Sequence, residues 1–140
     1  MSFLFPTQVA EIKLTYQTKV KAADRPKISC SYDAYTILNA NWSDQMGLFE
    51  EFYILLLDRG NRVMAHYKAS QGGVAGTVVD AKIIFAAALK CRASAIILAH
   101  NHPSCRLTPS NEDRAITTKL REGGKFLDLP ILDHLILSPE

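Results

Sequence analysis

The pattern of apolar and polar residues along the chain predicts strands that alternate with helices. In residues 9 to 20, Ile12, Leu14 and Tyr16 occupy alternate positions, and this period of two predicts a half-buried strand. Basic residues accompany this segment and continue beyond it: Lys13, Lys19, Lys21, Arg25 and Lys27. We expect these charges to solvate and protect the edge of a sheet, with phosphate binding as the alternative.

Two further apolar segments are separated by a short turn-forming sequence. Residues 50 to 58, EEFYILLLD, and residues 62 to 70, RVMAHYKAS, are strand-like in composition. Residues 59 to 61, Arg-Gly-Asn, suit the turn of a β-hairpin. His66 lies in the second strand without a ligand-type neighbour two or four residues away, so we interpret it as an ordinary strand residue.

The first predicted helix, in residues 29 to 42, lies between the strand predicted at residues 9 to 20 and the first of the two apolar segments. Its sequence, SCSYDAYTILNANW, begins with serines that can satisfy the first free amides of a helix. We expect either Ser29 or Ser31 to cap it, and Tyr35 and Leu38 to lie on its inner face. The helix should be short.

Glycine residues help to delimit the two other predicted helices. The glycines of residues 71 to 76, QGGVAG, break regular structure, and residues 77 to 91 then predict an alanine-rich helix. Because that helix is apolar on most sides, we expect it to pack between other layers. A last helix should start at Ser110 and end near the pair Gly123 and Gly124.

Two apolar runs in the second half of the chain predict buried strands. Residues 93 to 99, ASAIILA, are continuously apolar, as in a strand buried on both faces. Residues 129 to 138, LPILDHLILS, predict another buried strand at the end of the chain. Strands alternating with helices indicate a mixed α/β layered fold, and without repeats or linkers we expect one domain over residues 1 to 140.

Composition places the chain among globular proteins but does not identify a partner. With 140 residues, 48% of them hydrophobic, the chain can bury a single core. A formal net charge of +2 gives no argument for nucleic acid. We see no secretion signal and no apolar run near the ~20 residues of a membrane-spanning helix, so we expect a soluble protein without a membrane partner.

The cysteines favour a reducing, cytoplasmic location. There are 3 of them, an odd number without a CxxC pair, so neither a disulfide framework nor a thiolate zinc finger is indicated. We interpret Cys30 and Cys91 as small, partly buried apolar residues.

The stretch HNHPSCRLTPSNED, residues 100 to 113, holds the candidate chemistry. On an extended backbone His100 and His102 point to the same side while Asn101 faces away, so two imidazoles can share one metal ion. Asp113 is suited to be the third ligand, because the first turn of a helix favours an ionised carboxylate. Two imidazoles and a carboxylate suit a divalent metal, most plausibly zinc, and three ligands leave an open position for catalysis.

The spacing of these residues resembles the JAMM motif, His-x-His followed by seven residues and Ser-x-x-Asp. Here Ser110 and Asp113 stand at the expected distance from His100 and His102. The surrounding HNHPS, TPS and LDHLIL, with EEFYILLLD upstream, resemble the RadC branch of the JAB/MPN domain family over about residues 48 to 138. This resemblance implies a three-layer α-β-α domain with a central mixed sheet, similar to the cytidine-deaminase architecture.

The resemblance also implies a function. JAMM proteins are zinc-dependent hydrolases of peptide or isopeptide bonds, and His100, His102 and Asp113 correspond to their zinc ligands. The family glutamate, which takes a proton from the activated water and passes it to the leaving amine, corresponds to Glu50, with Glu51 as the rival. The corresponding role of Ser110 is to donate a hydrogen bond to the developing oxyanion, and its alternative role is to cap the helix.

Several features depart from the family pattern or leave alternatives open. Cys105 replaces the usual glycine, so it either adopts a strained backbone conformation or closes the metal site as a fourth ligand. His134 is either a core histidine or a hydrogen-bond partner of the metal ligands. Since nothing in about the first 45 residues resembles the helical, DNA-binding-like amino-terminal region of RadC proteins, we expect no such region here, and LILSPE falls where relatives usually continue into another strand.

The substrate and the assembly state stay open at this stage. We expect the partner to be a peptide or protein substrate, and a dimer is compatible with the sequence. A DNA-repair accessory role, with DNA or protein binding and no catalysis, is the alternative function. A third possibility is an interaction module in which zinc only holds the loop.

Overall fold

The computed structural model describes residues 6–13, 15–72 and 78–140. Within these ranges, helices alternate with strands, as predicted for a mixed α/β fold. The elements are a short 3-10 helix Ala22–Asp24, α1 Ser31–Asn41, β1 Glu51–Leu57, β2 Val63–Gln71, α2 Ala81–Lys90, β3 Ala95–Asn101, α3 Asn111–Phe126 and β4 Ile131–Leu137. The glycine-rich break predicted for residues 71 to 76 falls mainly outside the described residues.

The four described strands form one mixed sheet in the order β2-β1-β3-β4. Strand β1 pairs antiparallel with β2 and with β3, whereas β3 and β4 are parallel. The predicted hairpin is confirmed. In its turn Asn61 has a φ of 57°, and the Asp58 carboxylate accepts hydrogen bonds from the amides of Gly60 and Arg62. In this strand order β1 and β3 are central, so each is hydrogen-bonded to a neighbouring strand on both sides.

The sheet has an apolar core on each face, which gives the three layers that the resemblance implies. On one face, residues of β1 and β3 pack against α2 and α3, where Ile84 and Leu120 are fully buried. On the other face, residues of both strands pack against α1 through Ala34 and Leu38. Because β1 and β3 contribute to both cores, every residue in them is buried, as predicted for β3.

The predicted strand at residues 9 to 20 is wrong for the residues described, 9–13 and 15–20, which contain no strand. Val9 and Ile12 are 86% and 83% exposed, and Leu14 lies outside the described residues. The Tyr16 hydroxyl donates to the carbonyl of Met64 over 3.4 Å, but no ladder of backbone bonds follows. An alternating pattern does not make a strand without a paired neighbour, and among the described residues β2 pairs only with β1.

The start of α1 also differs from the prediction. Neither serine caps it, because Cys30 is the N-cap residue and makes no side-chain bond there. The amide of Ser29 donates to the Asp33 carboxylate, and the Ser31 hydroxyl donates to Asp133 in β4. Leu38 and Tyr35 were both predicted to lie on the inner face of α1. Leu38 is buried, as predicted, but Tyr35 is 39% exposed, so the prediction for Tyr35 is wrong.

Helix α2 and strand β4 are more exposed than predicted. Helix α2 packs one face on the sheet through Ile84, while Ile83 and Leu89 are 41% and 50% exposed, so it does not lie between layers. In β4 only Ile131 and Leu137 are buried, because this strand is at the edge of the described sheet. Apolar composition alone does not reveal which face is left uncovered.

Helix α3 starts as predicted, with Ser110 as its N-cap, but it does not end at the glycine pair. It continues through Gly123 and Gly124 to Phe126. A Cβ atom on Gly124 would lie 2.3 Å from the carbonyl oxygen of Leu129. The glycine therefore permits close packing rather than a turn, and the left-handed residue after the helix is Asp128, with a φ of 55°.

Two smaller points complete the comparison. Cys91 is buried, and burial raises the pKa of its thiol, but Cys30 is exposed, so the prediction for Cys30 is wrong. His66 is a strand residue of β2, as predicted. In the described part of the chain, no helix has the length and apolar character needed to cross a bilayer.

Candidate metal centre

Four potential ligand residues meet where β1, β3 and α3 converge. Among the described residues, Glu50, His100, His102 and Asp113 each offer one ligand atom, and these atoms lie within 4.8 Å of one another. The antiparallel pairing of Phe52 with His100 brings the start of β1 beside the end of β3. Helix α3 then supplies Asp113 from its first turn. The site is thus built from three elements distant in sequence.

The distances within the cluster fit a metal ion. The Nε2 atoms of His100 and His102 are 2.9 Å apart, and Asp113 Oδ2 lies 3.2 Å and 3.3 Å from them. Ligands ~2.0–2.1 Å from a tetrahedral ion are roughly 3.3 Å from each other. The structure therefore brings together the three residues that the sequence indicates as ligands, at a spacing that one small cation can span.

The chemistry of the donor atoms points the same way. His102 Nδ1 lies 2.6 Å from the carbonyl oxygen of Arg106, which can only accept, so the ring carries its proton on Nδ1. In the neutral ring the Nε2 atom then presents a lone pair to the cluster. A lone pair that faces a carboxylate oxygen at 3.3 Å is repelled unless a cation lies between them.

Local electrostatics favours the forms that bind a cation. Burial lowers the pKa of His100, and the nearby Asp113 carboxylate only partly offsets this effect, so the neutral form of the imidazole is favoured. For Asp113, burial alone would raise the pKa, but hydrogen bonds with Ser110 and the electrostatic effect of the two nearby histidines lower it below its ordinary value. Neutral imidazoles and an ionised carboxylate are the states that coordinate metals.

The structure separates the two candidate glutamates. Glu50 Oε1 lies 3.6 Å from His102 Nε2 and belongs to the cluster. Glu51 is fully buried on the opposite face of the sheet, where Lys68 donates to its carboxylate over 2.9 Å and Ser43 donates to the other oxygen. Alternation along the strand thus excludes Glu51 from the cluster.

Ser110 has a defined structural role. Its Oγ accepts from the amide of Asp113 over 3.1 Å, while its own amide donates to Asp113 Oδ2 over 2.8 Å. This reciprocal capping box fixes the first turn of α3 and the Asp113 carboxylate together. Because the Oγ accepts in the cap, its proton remains available to donate.

Cys105 is not one of the four clustered residues. Its φ is 66°, so the strained backbone conformation expected for a cysteine in place of glycine is present. Its thiol is 3.9 Å from the carbonyl oxygen of Pro103. The structure does not bring Cys105 into the site as a fourth ligand.

Asn101 has a role that the sequence reasoning missed. Its side chain points away from the histidines, as expected, and is fully buried. It accepts from the amide of Glu51 over 2.7 Å and donates to the carbonyls of Met46 and Phe49 over 2.7 Å and 2.9 Å. Asn101 therefore fixes the backbone on both sides of Glu50. An asparagine inside a buried strand was the available signal, because such a group requires partners.

An open cavity of about 370 Å³ adjoins the cluster. Its lining has a polar part and an apolar part: the polar residues are Glu50, His100, Glu112, Asp113 and Lys119, and the apolar ones include Phe52, Val79 and Ile116. A cavity with convergent polar groups and an apolar wall is typical of a ligand-binding site.

Comparisons with known proteins show which family this chain resembles. A family model described as RadC-like JAB domain matches residues 28–140, more of the chain than the motifs alone cover. A protein named UPF0758 protein from Flavobacterium johnsoniae is 43% identical over 112 residues, 80% of this chain and 48% of that protein. A UPF0758 protein from Methanosarcina mazei is 36% identical over 130 residues, 93% of this chain and 56% of that protein. The chain thus spans about half the length of these curated relatives.

Proposed function

Because the chain belongs to the RadC-like JAB domain family, we propose that it is a zinc-dependent hydrolase of peptide or isopeptide bonds. One observation carries this proposal: Glu50 lies 3.6 Å from His102, beside a triangle of donor atoms from His100, His102 and Asp113. A site that only held a loop together would not need an extra carboxylate at its open side.

The three ligand residues would hold the metal, and zinc suits two imidazoles and one carboxylate. When bound, the metal would supply Lewis-acid polarisation of the scissile carbonyl and a water molecule of lowered pKa. Polarisation of the carbonyl and activation of the water would need only the metal and its three ligand residues. The fourth residue of the cluster, Glu50, can therefore transfer protons.

Glu50 accepts a proton from the attacking water and delivers it to the leaving amine nitrogen. Its position before β1 is fixed by Asn101, so the carboxylate meets the cluster with a defined backbone. Ser110 donates its hydroxyl proton to the oxyanion that develops on the carbonyl, a contribution of about 3 kcal/mol where such donors have been removed. The apolar wall of the adjoining cavity binds a side chain of the substrate.

Metal content and cleavage together test this proposal. We expect about one zinc per chain in the wild type and in Glu50→Gln, and almost none in His102→Ala. On a peptide library derived from a digested proteome, wild-type protein should create new amino termini, detectable by mass spectrometry. Glu50→Gln should lower their formation at least about 100-fold, as expected for loss of a general base.

Glu122→Gln is the matched control, since this exposed glutamate of α3 lies outside the cluster. It should cleave like the wild type. A wild-type protein that gains no zinc on soaking, or cleavage that is unchanged in Glu50→Gln, contradicts the proposal. Salt-sensitive DNA binding without any cleavage would favour the accessory role instead.

A further inference from the structure

A chain of short hydrogen bonds runs from α3 through β4 to the first histidine of the site. Thr117 Oγ1 donates to the carbonyl oxygen of Asp113 over 2.7 Å and lies 2.6 Å from His134 Nδ1. The other ring nitrogen of His134, Nε2, lies 2.7 Å from Nδ1 of His100. The chain ends at His100 Nε2, which faces the carboxylate of Asp113.

The carbonyl end of this chain sets the direction of every proton. A carbonyl oxygen can only accept, so the single hydroxyl proton of Thr117 points to Asp113 and its oxygen must accept from His134 Nδ1. With its one proton on Nδ1, the neutral ring of His134 presents a lone pair on Nε2, so the proton in the 2.7 Å contact between this atom and His100 Nδ1 comes from His100. His100 must then donate from Nδ1, which leaves Nε2 with a lone pair.

We propose that Thr117 and His134 are positioning residues that fix the tautomer of His100, so that its Nε2 atom faces the metal with a lone pair. This inference rests on the metal centre proposed above. In the reverse arrangement His134 would donate to His100, and the proton on His100 Nε2 would block metal binding. The two arrangements are therefore distinguishable, because only one of them permits coordination.

Packing keeps the two rings of this chain in place. Phe52 stacks on His100 with ring centroids 6.0 Å apart and meets His134 edge-on at 5.5 Å. The His134 backbone belongs to β4, which pairs with β3 directly beside the ligand. Removing the Thr117 hydroxyl should therefore change the proton arrangement while the rings stay packed.

Thr117→Val tests the proposal without removing a ring. Zinc affinity, measured by competition with a chromophoric chelator, should weaken about 10-fold, within the range typical for partners of metal ligands. Thr117→Ser restores the hydroxyl and should recover most of the affinity. Thr118→Val is the matched control, because Thr118 makes the same bond to a helix carbonyl, that of Arg114, at 3.0 Å. Its zinc affinity should stay within about 2-fold of wild type, as for other exposed surface substitutions.

Imidazole nitrogen NMR of isotope-labelled protein supplies a second readout that does not depend on the metal. In the metal-free wild type at neutral pH, His100 should carry its proton on Nδ1, and Thr117→Val should show a mixture of tautomers. If wild type binds zinc and Thr117→Val binds it equally well, with unchanged spectra, the proposal is overturned and the proposed function stands. A wild type that binds no zinc overturns both.

Discussion

Individual side chains at this site often serve two purposes, and Asn101 is the clearest case. Flanked by the two histidines, it faces the opposite side of β3 and holds the segment that carries Glu50. The Asp113 carboxylate similarly completes the capping box of α3 and faces both histidines. Ligand geometry therefore depends on residues whose bonds are structural.

The role of Asn101 can be measured as stability. Asn101→Ala leaves two backbone carbonyls and one amide in a buried region without their partner, and should lower the free energy of unfolding by about 3 kcal/mol. Asn41→Ala is the control, because Asn41 bonds the carbonyl of Ile37 at an exposed helix end and its loss should cost less than about 1 kcal/mol. Denaturant unfolding of both variants makes the comparison, and equal losses would contradict the assigned role.

At the level of residues, the sequence predicted which candidate ligands come together but missed most of the residues that hold them in place. The His-x-His spacing and the helix start at Ser110 brought His100, His102 and Asp113 together, because period-two alternation and helix capping are local rules. Local rules could not choose between Glu50 and Glu51, since β1 is apolar on both faces. The bond between Thr117 and His134 joins two elements and needs the tertiary structure.

At the level of elements, α3 shows why glycine was misread. Glycine pairs often follow the last turn of a helix, so the sequence predicted an end near the pair Gly123 and Gly124. In the structure the helix continues, and Gly124 lies against the backbone that leads into β4. The prediction of a strand at residues 9 to 20 was wrong for a related reason. Both the end of α3 and the formation of a strand depend on contacts with neighbouring elements, which a local pattern does not contain.

Gly124→Ala tests this interpretation by the sign of its effect. In an exposed helix interior, alanine is more stable than glycine by about 1 kcal/mol. Here the added Cβ would lie 2.3 Å from the Leu129 carbonyl, so we expect a loss of about 1–3 kcal/mol in unfolding free energy.

Gly47→Ala provides the comparison for that measurement. The nearest atom to a Cβ at Gly47 is a side-chain carbon of Pro139 at 3.9 Å, an ordinary contact. Its stability should change by less than about 1 kcal/mol. A thermal unfolding midpoint for Gly124→Ala at or above that of the wild type would contradict the close packing of Gly124 against the carbonyl of Leu129.

At the level of the whole molecule, the layered fold brings β1, β3 and α3 together at one edge of the sheet. The sheet order places β1 and β3 side by side at its centre, and their opposite directions put Glu50 next to the end of β3. The sequence predicted the layered architecture correctly, because alternating strands and helices allow few packings. It did not predict which edges stay exposed, which depends on the order of strands.

The most direct test of the central claim is zinc X-ray absorption spectroscopy on the loaded full chain. We predict two imidazole nitrogens and oxygen ligands at ~2.0–2.1 Å, with no sulfur, because Cys105 lies outside the cluster. A zinc–sulfur distance of ~2.3 Å, or a spectrum with fewer than two imidazoles, would contradict the metal centre described here.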